Sequence, residues 1–180
     1  MKKRCFIAML FGFFYFITAG YVFGAGLGFA AYDTMPPLKR AYNGDEVISL
    51  KLKAHNPSDT PVFLKGIAIW FAGSGNYTSR QIRENYIYLD KNGNGKVNWR
   101  EPELTGGFNY VRPNKIVRFL FKKPVLLKQG DHRYFIFETK FGDVLQHKKT
   151  YSFVFTGDYL SSKGWHKAKT SKIKGTIFRR

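Results

Sequence analysis

Hydrophobic residues recur at every second position in several separate stretches of this chain. Between Ile48 and Ala54 the residues Ile48, Leu50, Leu52 and Ala54 alternate with Ser49, Lys51 and Lys53, which sets the apolar group on one face of an extended strand. Lys115 to Phe121 places Val117, Phe119 and Phe121 opposite Arg118, and Arg133–Thr139 and Tyr151–Thr156 repeat the pattern. Val62 to Phe71 is a more continuous apolar run, as a central strand requires, and Tyr86–Leu89 forms a shorter one. Turn residues separate these stretches: Asn56-Pro57-Ser58-Asp59, Gly73-Ser74-Gly75-Asn76, Arg112-Pro113-Asn114, Gln129-Gly130-Asp131 and Gly142-Asp143. Helical periodicity is scarce. Only Thr78 to Asn85 has the composition for about two helical turns, with Thr78 or Ser79 as the cap. About seven or eight short strands at this spacing predict an all-β, antiparallel β-sandwich.

The N-terminus changes the picture by adding a targeting segment. Met1-Lys2-Lys3-Arg4 is a positive flank, Cys5 to Phe23 is almost unbroken apolar chain, and Gly24, Ala25, Gly26 and Gly28 follow. Charge, apolar core and small residues in that order predict a secretory signal over 1–24, with Ala25 or Ala31 as the first mature residue. An uncleaved anchor is the alternative, because a run of about 20 residues spans a bilayer. In both cases the body of the protein is exported, with direct membrane contact only through this segment if it stays. Cys5, the single cysteine, lies inside the segment, so the exported part has no disulfide to stabilise it.

Asp90 to Glu101, DKNGNGKVNWRE, fits D-x-[DN]-x-[DN]-G-x5-E at every specified position. Calcium is a hard cation that takes about six to eight oxygen ligands, and this spacing delivers them from one short loop. Asp90, Asn92 and Asn94 offer side-chain oxygens, Gly95 permits the sharp bend, and Lys96 offers its carbonyl. Asn98 acts through a water, and Glu101 closes the shell with two oxygens. A plain Asn/Gly turn is the alternative, although a turn has no need of an acid at each end of the frame. Asp90 and Glu101 are the only charged ligands, and Lys91, Lys96 and Arg100 repel a cation. The expected affinity is therefore in the weak extracellular range, roughly 10⁻⁴ to 10⁻³ M, for a structural Ca²⁺. Asp90→Ala and Glu101→Gln are each expected to remove the calcium response while leaving the calcium-free melting temperature nearly unchanged.

The order of elements resembles the Ig-like β-sandwich modules of bacterial secreted and cell-surface proteins. The matching pieces are Leu50-Lys51-Leu52-Lys53-Ala54, the run from Gly66 to Gly75, Ile87-Tyr88-Leu89-Asp90-Lys91-Asn92-Gly93-Asn94-Gly95, and the run from Leu127 to Phe137. Together they span about residues 45 to 157. The resemblance implies a calcium-stabilised binding or spacer module without catalytic residues. The chain departs from that family in being strongly basic and in holding one module. The loop is also similar to a dockerin repeat, but dockerins pair two loops, each followed by a helix. Here Pro102, Gly106 and Gly107 follow a single loop and make a poor helix start.

Charge adds a candidate partner. The chain is formally +18, and loss of Lys2, Lys3 and Arg4 with the signal leaves +15. Such an excess points to an anionic envelope surface, an acidic glycan or an acidic envelope or filament protein. The region 161–180 is the most basic: Lys163, Lys167, Lys169, Lys172, Lys174, Arg179 and Arg180, with no acid, form a candidate anion-binding tail beside Trp165. No nucleic-acid motif accompanies it. His55, His132, His147 and His166 lack zinc spacing, although His132 and His147 could meet across strands. No nucleophile elbow, phosphate loop or dinucleotide fingerprint occurs. The expectation is a sandwich domain over 25–160 that serves as an exported, non-catalytic structural, adhesion or assembly module. The alternative is a carbohydrate-binding module using aromatics such as Trp70, Trp99 or Trp165. A cleft with a perturbed carboxylate outside the calcium loop would instead favour an enzyme.

Overall fold

The computed structural model describes residues 26–105, 115–170 and 172–180, so the proposed signal or anchor over 1–24 lies outside it. The described residues are all-β, with ten strands and no helix. These are β1 (Gly28–Ala31), β2 (Leu38–Arg40), β3 (Glu46–His55), β4 (Val62–Ala72), β5 (Ile82–Asp90), β6 (Ile116–Leu127), β7 (His132–Phe141), β8 (Thr150–Ser161), β9 (Gly164–Lys167) and β10 (Ile173–Arg179). They form a four-stranded sheet in the order β1-β3-β7-β5 and a six-stranded sheet in the order β2-β10-β8-β4-β6, with β9 paired to β8. Every pairing is antiparallel except β10 with β2.

Period-two alternation turns one row of each longer strand inward, and the two inner faces meet through aromatic rings. Phe137 of β7 lies 6.2 Å from Phe71 of β4, 5.4 Å from Phe119 of β6 and 5.3 Å from Phe153 of β8. Phe141 of β7 meets Phe178 of β10 at 5.5 Å, edge to face. Such pairs each add about 0.5–1.5 kcal/mol beyond the area they bury. With no cysteine in the described residues, aromatic packing between the sheets is the principal staple of the core.

Three expectations change. Leu50, Leu52 and Ala54 do face inward, but a bulge between Ile48 and Leu50 brings Val47, not Ile48, into the core. Ser49 is buried there, and its hydroxyl donates to Thr139, whose hydroxyl donates to Asn85, so the chain of polar groups crosses three strands without an orphan. The helix expected over Thr78–Asn85 is a single turn, closed by the Gln81 and Ile82 amides on the Thr78 carbonyl. Ladder pairing of Ile82 with Phe141 then converts the rest into β5. The C-terminal tail, finally, is mostly sheet: Ile173, Thr176 and Phe178 are buried, and β10 lies between β2 and β8.

β5 is the edge of the four-stranded sheet and ends at Asp90. The chain returns along that edge. The Leu89 amide donates to the Pro102 carbonyl (3.0 Å), Leu104 N–H to Ile87 (2.7 Å), and Ile87 N–H to the Thr105 hydroxyl (2.9 Å). The Leu104 carbonyl also accepts from Lys122 of β6 at 2.7 Å, which ties the returning segment to the other sheet. The loop 90–101 is thus the closed end of a structure that seals one side of the core.

Candidate metal centre

Asp90 is the last residue of β5 and is only 1% exposed. One carboxylate oxygen accepts from the Gly93 amide at 2.7 Å and the Asn94 amide at 3.3 Å. The other accepts from the Gly95 amide at 2.8 Å and from the Tyr32 hydroxyl at 2.7 Å. Burial pushes the acid's pKa upward, but these donors outweigh it and hold the carboxyl below its ordinary value. The same bond and burial push the Tyr32 phenol far up, so it stays protonated as a donor. Asn92 and Asn94 each accept from the amide two residues on, at 3.1 and 2.8 Å, which bends the chain in successive side-chain-capped turns. Gly95 carries φ +70°, and a Cβ there would stand 2.6 Å from the Lys51 ammonium and 2.8 Å from Asp33. Only glycine fits.

At the far end, both Glu101 oxygens accept from Asn98, one from its amide at 3.0 Å and one from its side chain at 3.2 Å. Asn92, Asn94, Asn98 and Glu101 surround one hollow of about 320 Å³, with Lys91, Trp99 and Arg100 as its other walls. The donor set is entirely oxygen. The Asn92 and Asn94 side-chain oxygens and both Glu101 oxygens each have one hydrogen bond, so each keeps a lone pair for a cation. Asp90 and Lys96 do not line the hollow, so four of the six expected ligands meet there, and their oxygens are of the kind a hard divalent ion such as Ca²⁺ takes. Among the described residues no three of His, Cys, Asp and Glu cluster as a metal site. The loop has only two such residues and depends on asparagine and carbonyl oxygens for the rest.

Two features of the site were not visible in the sequence. Tyr32 reaches Asp90 from the end of β1, 58 positions away, and its ring packs 4.9 Å from Tyr134. Asp33 pairs with Lys51 at 2.5 Å directly behind Gly95. Asp90 accepts hydrogen bonds that hold the loop as well as being a candidate ligand, which argues against the expectation that Asp90→Ala spares the calcium-free fold.

The basic residues of 161–180 do not form one tail. Lys167 pairs with Asp158 at 2.8 Å, Arg180 donates to the Leu145 carbonyl at 2.7 Å, and Lys172 lies 5.0 Å over the Trp70 ring. Lys163 is in the β8–β9 turn and Lys169 follows β9, while Lys174 and Arg179 point outward from β10. Arg179 and Arg180 instead join Lys39, Arg40, Tyr42 and Lys148 around a hollow of about 550 Å³. His132 does not meet His147. It pairs with His55, their rings stacked 4.5 Å apart.

A perturbed carboxylate does occur outside the loop. Burial, helped by the nearby Glu46, pushes Glu138 above its usual range, and both acids line a hollow of about 410 Å³. Glu46 is engaged by Lys140, and Glu138 accepts from the Tyr88 hydroxyl. The only hydroxyls lining that hollow are Thr34 and Thr176, and Thr176 donates to the Pro36 carbonyl at 2.9 Å.

No family model matches the chain, and no curated protein matches it. Among solved structures it is similar to AvmM, a protein that catalyses macrocyclization in alchivemycin A biosynthesis. The identity is 10% and the TM-score 0.46, with 87% of this chain and 90% of that chain covered.

Proposed function

We propose that the protein is an exported, Ca²⁺-stabilised β-sandwich of the Ig-like kind. In this reading it is a non-catalytic adhesion or assembly module of the cell envelope, held against an anionic surface or partner. The observation that carries the reading is the loop 90–101. Four oxygen-bearing residues of the calcium pattern surround one hollow, at the point where the chain turns back to seal the edge strand and join the two sheets.

The mechanism is mechanical. When bound, calcium supplies positive charge that draws the loop oxygens together. Asp90 fixes the start of the loop through the Gly93 and Gly95 amides, and Glu101 fixes its end through Asn98. The returning segment Pro102–Leu104 is thereby kept on β5, and an exported domain without disulfides gains resistance to unfolding. Thermal unfolding of the purified protein in millimolar calcium and in chelator tests this. An upward shift in calcium is expected, and the absence of a shift reduces the loop to an Asn/Gly turn.

Carbohydrate binding remains the second reading because Trp99, beside the same hollow, is 87% exposed. Its ring already carries Arg100 at 4.4 Å. Glycan binding that survives high salt and is lost in Trp99→Ala would favour sugar stacking over electrostatic attachment.

A further inference from the structure

The outer face of the six-stranded sheet combines two features that surfaces in contact only with water keep apart. Five of the eight large hydrophobic side chains exposed among the described residues stand on it: Leu38, Phe63, Ile116, Leu120 and Ile177. Their inward neighbours Leu64, Phe119 and Phe178 fill the core, which fixes their direction. Between them lie cations. Register places Arg40 beside Arg179 and Arg118 beside Ala68, and Lys174 is on the same row of β10. Trp70 and Trp165 face outward too, with Lys172 at 5.0 Å and Arg118 at 4.9 Å over their rings.

The two faces differ in which cations are paired. On the four-stranded side, Lys51, Arg133 and Lys140 are paired with Asp33, Asp131 and Glu46. On the six-stranded sheet two ion pairs occur among the described residues, Lys167–Asp158 and Lys122–Glu103, and Arg40, Lys174 and Arg179 take part in neither. The face is continuous, through Leu38, Arg40 and Arg179, with the 550 Å³ hollow, whose walls hold no acidic side chain.

We propose that this face, with the hollow at its β2–β10 edge, docks on the anionic lipid headgroups of a membrane. The inference rests on the reading of an exported, anion-contacting module and names the surface and its chemistry. A polyanion in solution would satisfy the cations but leave five apolar side chains in water. A sugar or nucleic acid would stack on the indoles but leave the aliphatic side chains of the outer strands in water. A second copy of the same face would bring like charges together. An anionic bilayer complements both features, because phosphates meet Arg and Lys while aliphatic and indole groups enter the headgroup boundary. Sequence alone confined membrane contact to the N-terminal segment; the sheet face adds a second.

The test uses the full chain, in chelator, with vesicles of phosphatidylcholine alone or mixed equally with phosphatidylglycerol. Two variants are compared with the wild type: Arg40→Glu/Lys174→Glu/Arg179→Glu, and Ile116→Ser/Leu120→Ser. Because all share the same N-terminus, any insertion of that segment cancels in the comparison. Binding that depends on phosphatidylglycerol, with a blue shift of tryptophan emission, is expected. The triple variant should lower partition about 100-fold, roughly fivefold per cation, and the double variant several-fold. Should the triple variant fail to fold, the double variant carries the test. Unchanged partition in a folded variant overturns the assignment of the face. Equal affinity for polyphosphate or single-stranded DNA, no blue shift and no effect of the Ser variants overturn the lipid inference while leaving anionic contact intact. Binding to no anionic probe overturns both.

Discussion

Asp90→Ala and Glu101→Gln separate the metal from the fold, because the two carboxylates do different work in the ion-free loop. Asp90 is buried and accepts from Gly93, Gly95 and Tyr32 at 2.7–2.8 Å. Removing it leaves the buried Gly95 amide and the Tyr32 hydroxyl without a partner. Hydrogen bonds to a charged group are worth about 1.5–3 kcal/mol each, and partial rehydration of Gly93 and Tyr32 lowers the sum to about 3–4 kcal/mol. For a domain of this size that corresponds to a fall of about 10 °C in calcium-free Tm. Glutamine at position 101 can still accept from the Asn98 amide, so Glu101→Gln should cost under about 0.5 kcal/mol without the ion. In about 10 mM calcium, a dissociation constant of roughly 10⁻⁴ to 10⁻³ M stabilises the wild type by about 1.4–2.7 kcal/mol, a rise of about 3–10 °C. Both variants should lose that rise. Differential scanning calorimetry of the three proteins in calcium and in chelator gives all six values. The reasoning fails if Glu101→Gln keeps the full calcium shift, or if Asp90→Ala melts like the wild type in chelator.

Tyr32→Phe keeps the ring contact with Tyr134 but removes the donor to Asp90. It should cost about 1–2 kcal/mol in chelator, read as a Tm lower by about 3–6 °C. Gly175→Ala should be far more damaging, because a Cβ there would lie 2.0 Å from the Ser49 carbonyl oxygen, where β10 approaches β3. A loss of more than about 3 kcal/mol by urea denaturation is expected, with little protein recovered in soluble form. His132 has its pKa held below 6.5 by burial, Lys53 and His55. The unfolded chain therefore takes up the proton first as pH falls, so the contribution is full above about pH 6.5 and is lost from there down to the folded pKa. His132→Gln should flatten that limb of the stability profile between pH 7 and 5, and an unchanged limb would assign it to other groups.

Strand positions were legible because burial on one face imposes a period of two, which held from Leu50 to Ala54 and from Val117 to Phe121. What the pattern could not carry was pairing. β1, β2 and β9 are three or four residues long, too short for a period to show. β10 is interrupted by a bulge between Lys174 and Ile177, which disguises its alternation as a basic tail. The helix expected at Thr78 failed because local propensity yielded to the ladder with β7. At the candidate site, the loop residues that line the hollow were legible because their spacing is local. Tyr32, Asp33 and Lys51 were not, because fold topology alone brings them to Asp90 and Gly95.

The loop and the basic face make separable demands on the fold. Among the described residues, none of 90–101 shares a hydrogen bond, ion pair or ring contact with Arg40, Lys174, Arg179, Ile116 or Leu120. The connection between them is indirect, through Leu104 and the β6 amide of Lys122. Sites without shared partners act additively. Glu101→Gln should therefore leave partition onto phosphatidylglycerol vesicles within about twofold of the wild type at a temperature where both are folded. Calcium would then govern how long the module survives outside the cell, and the sheet face would govern where it rests. A large loss of vesicle binding in folded Glu101→Gln would instead couple the two, and would move the docking surface to the loop itself, with Trp99 and Arg100 as its contacts.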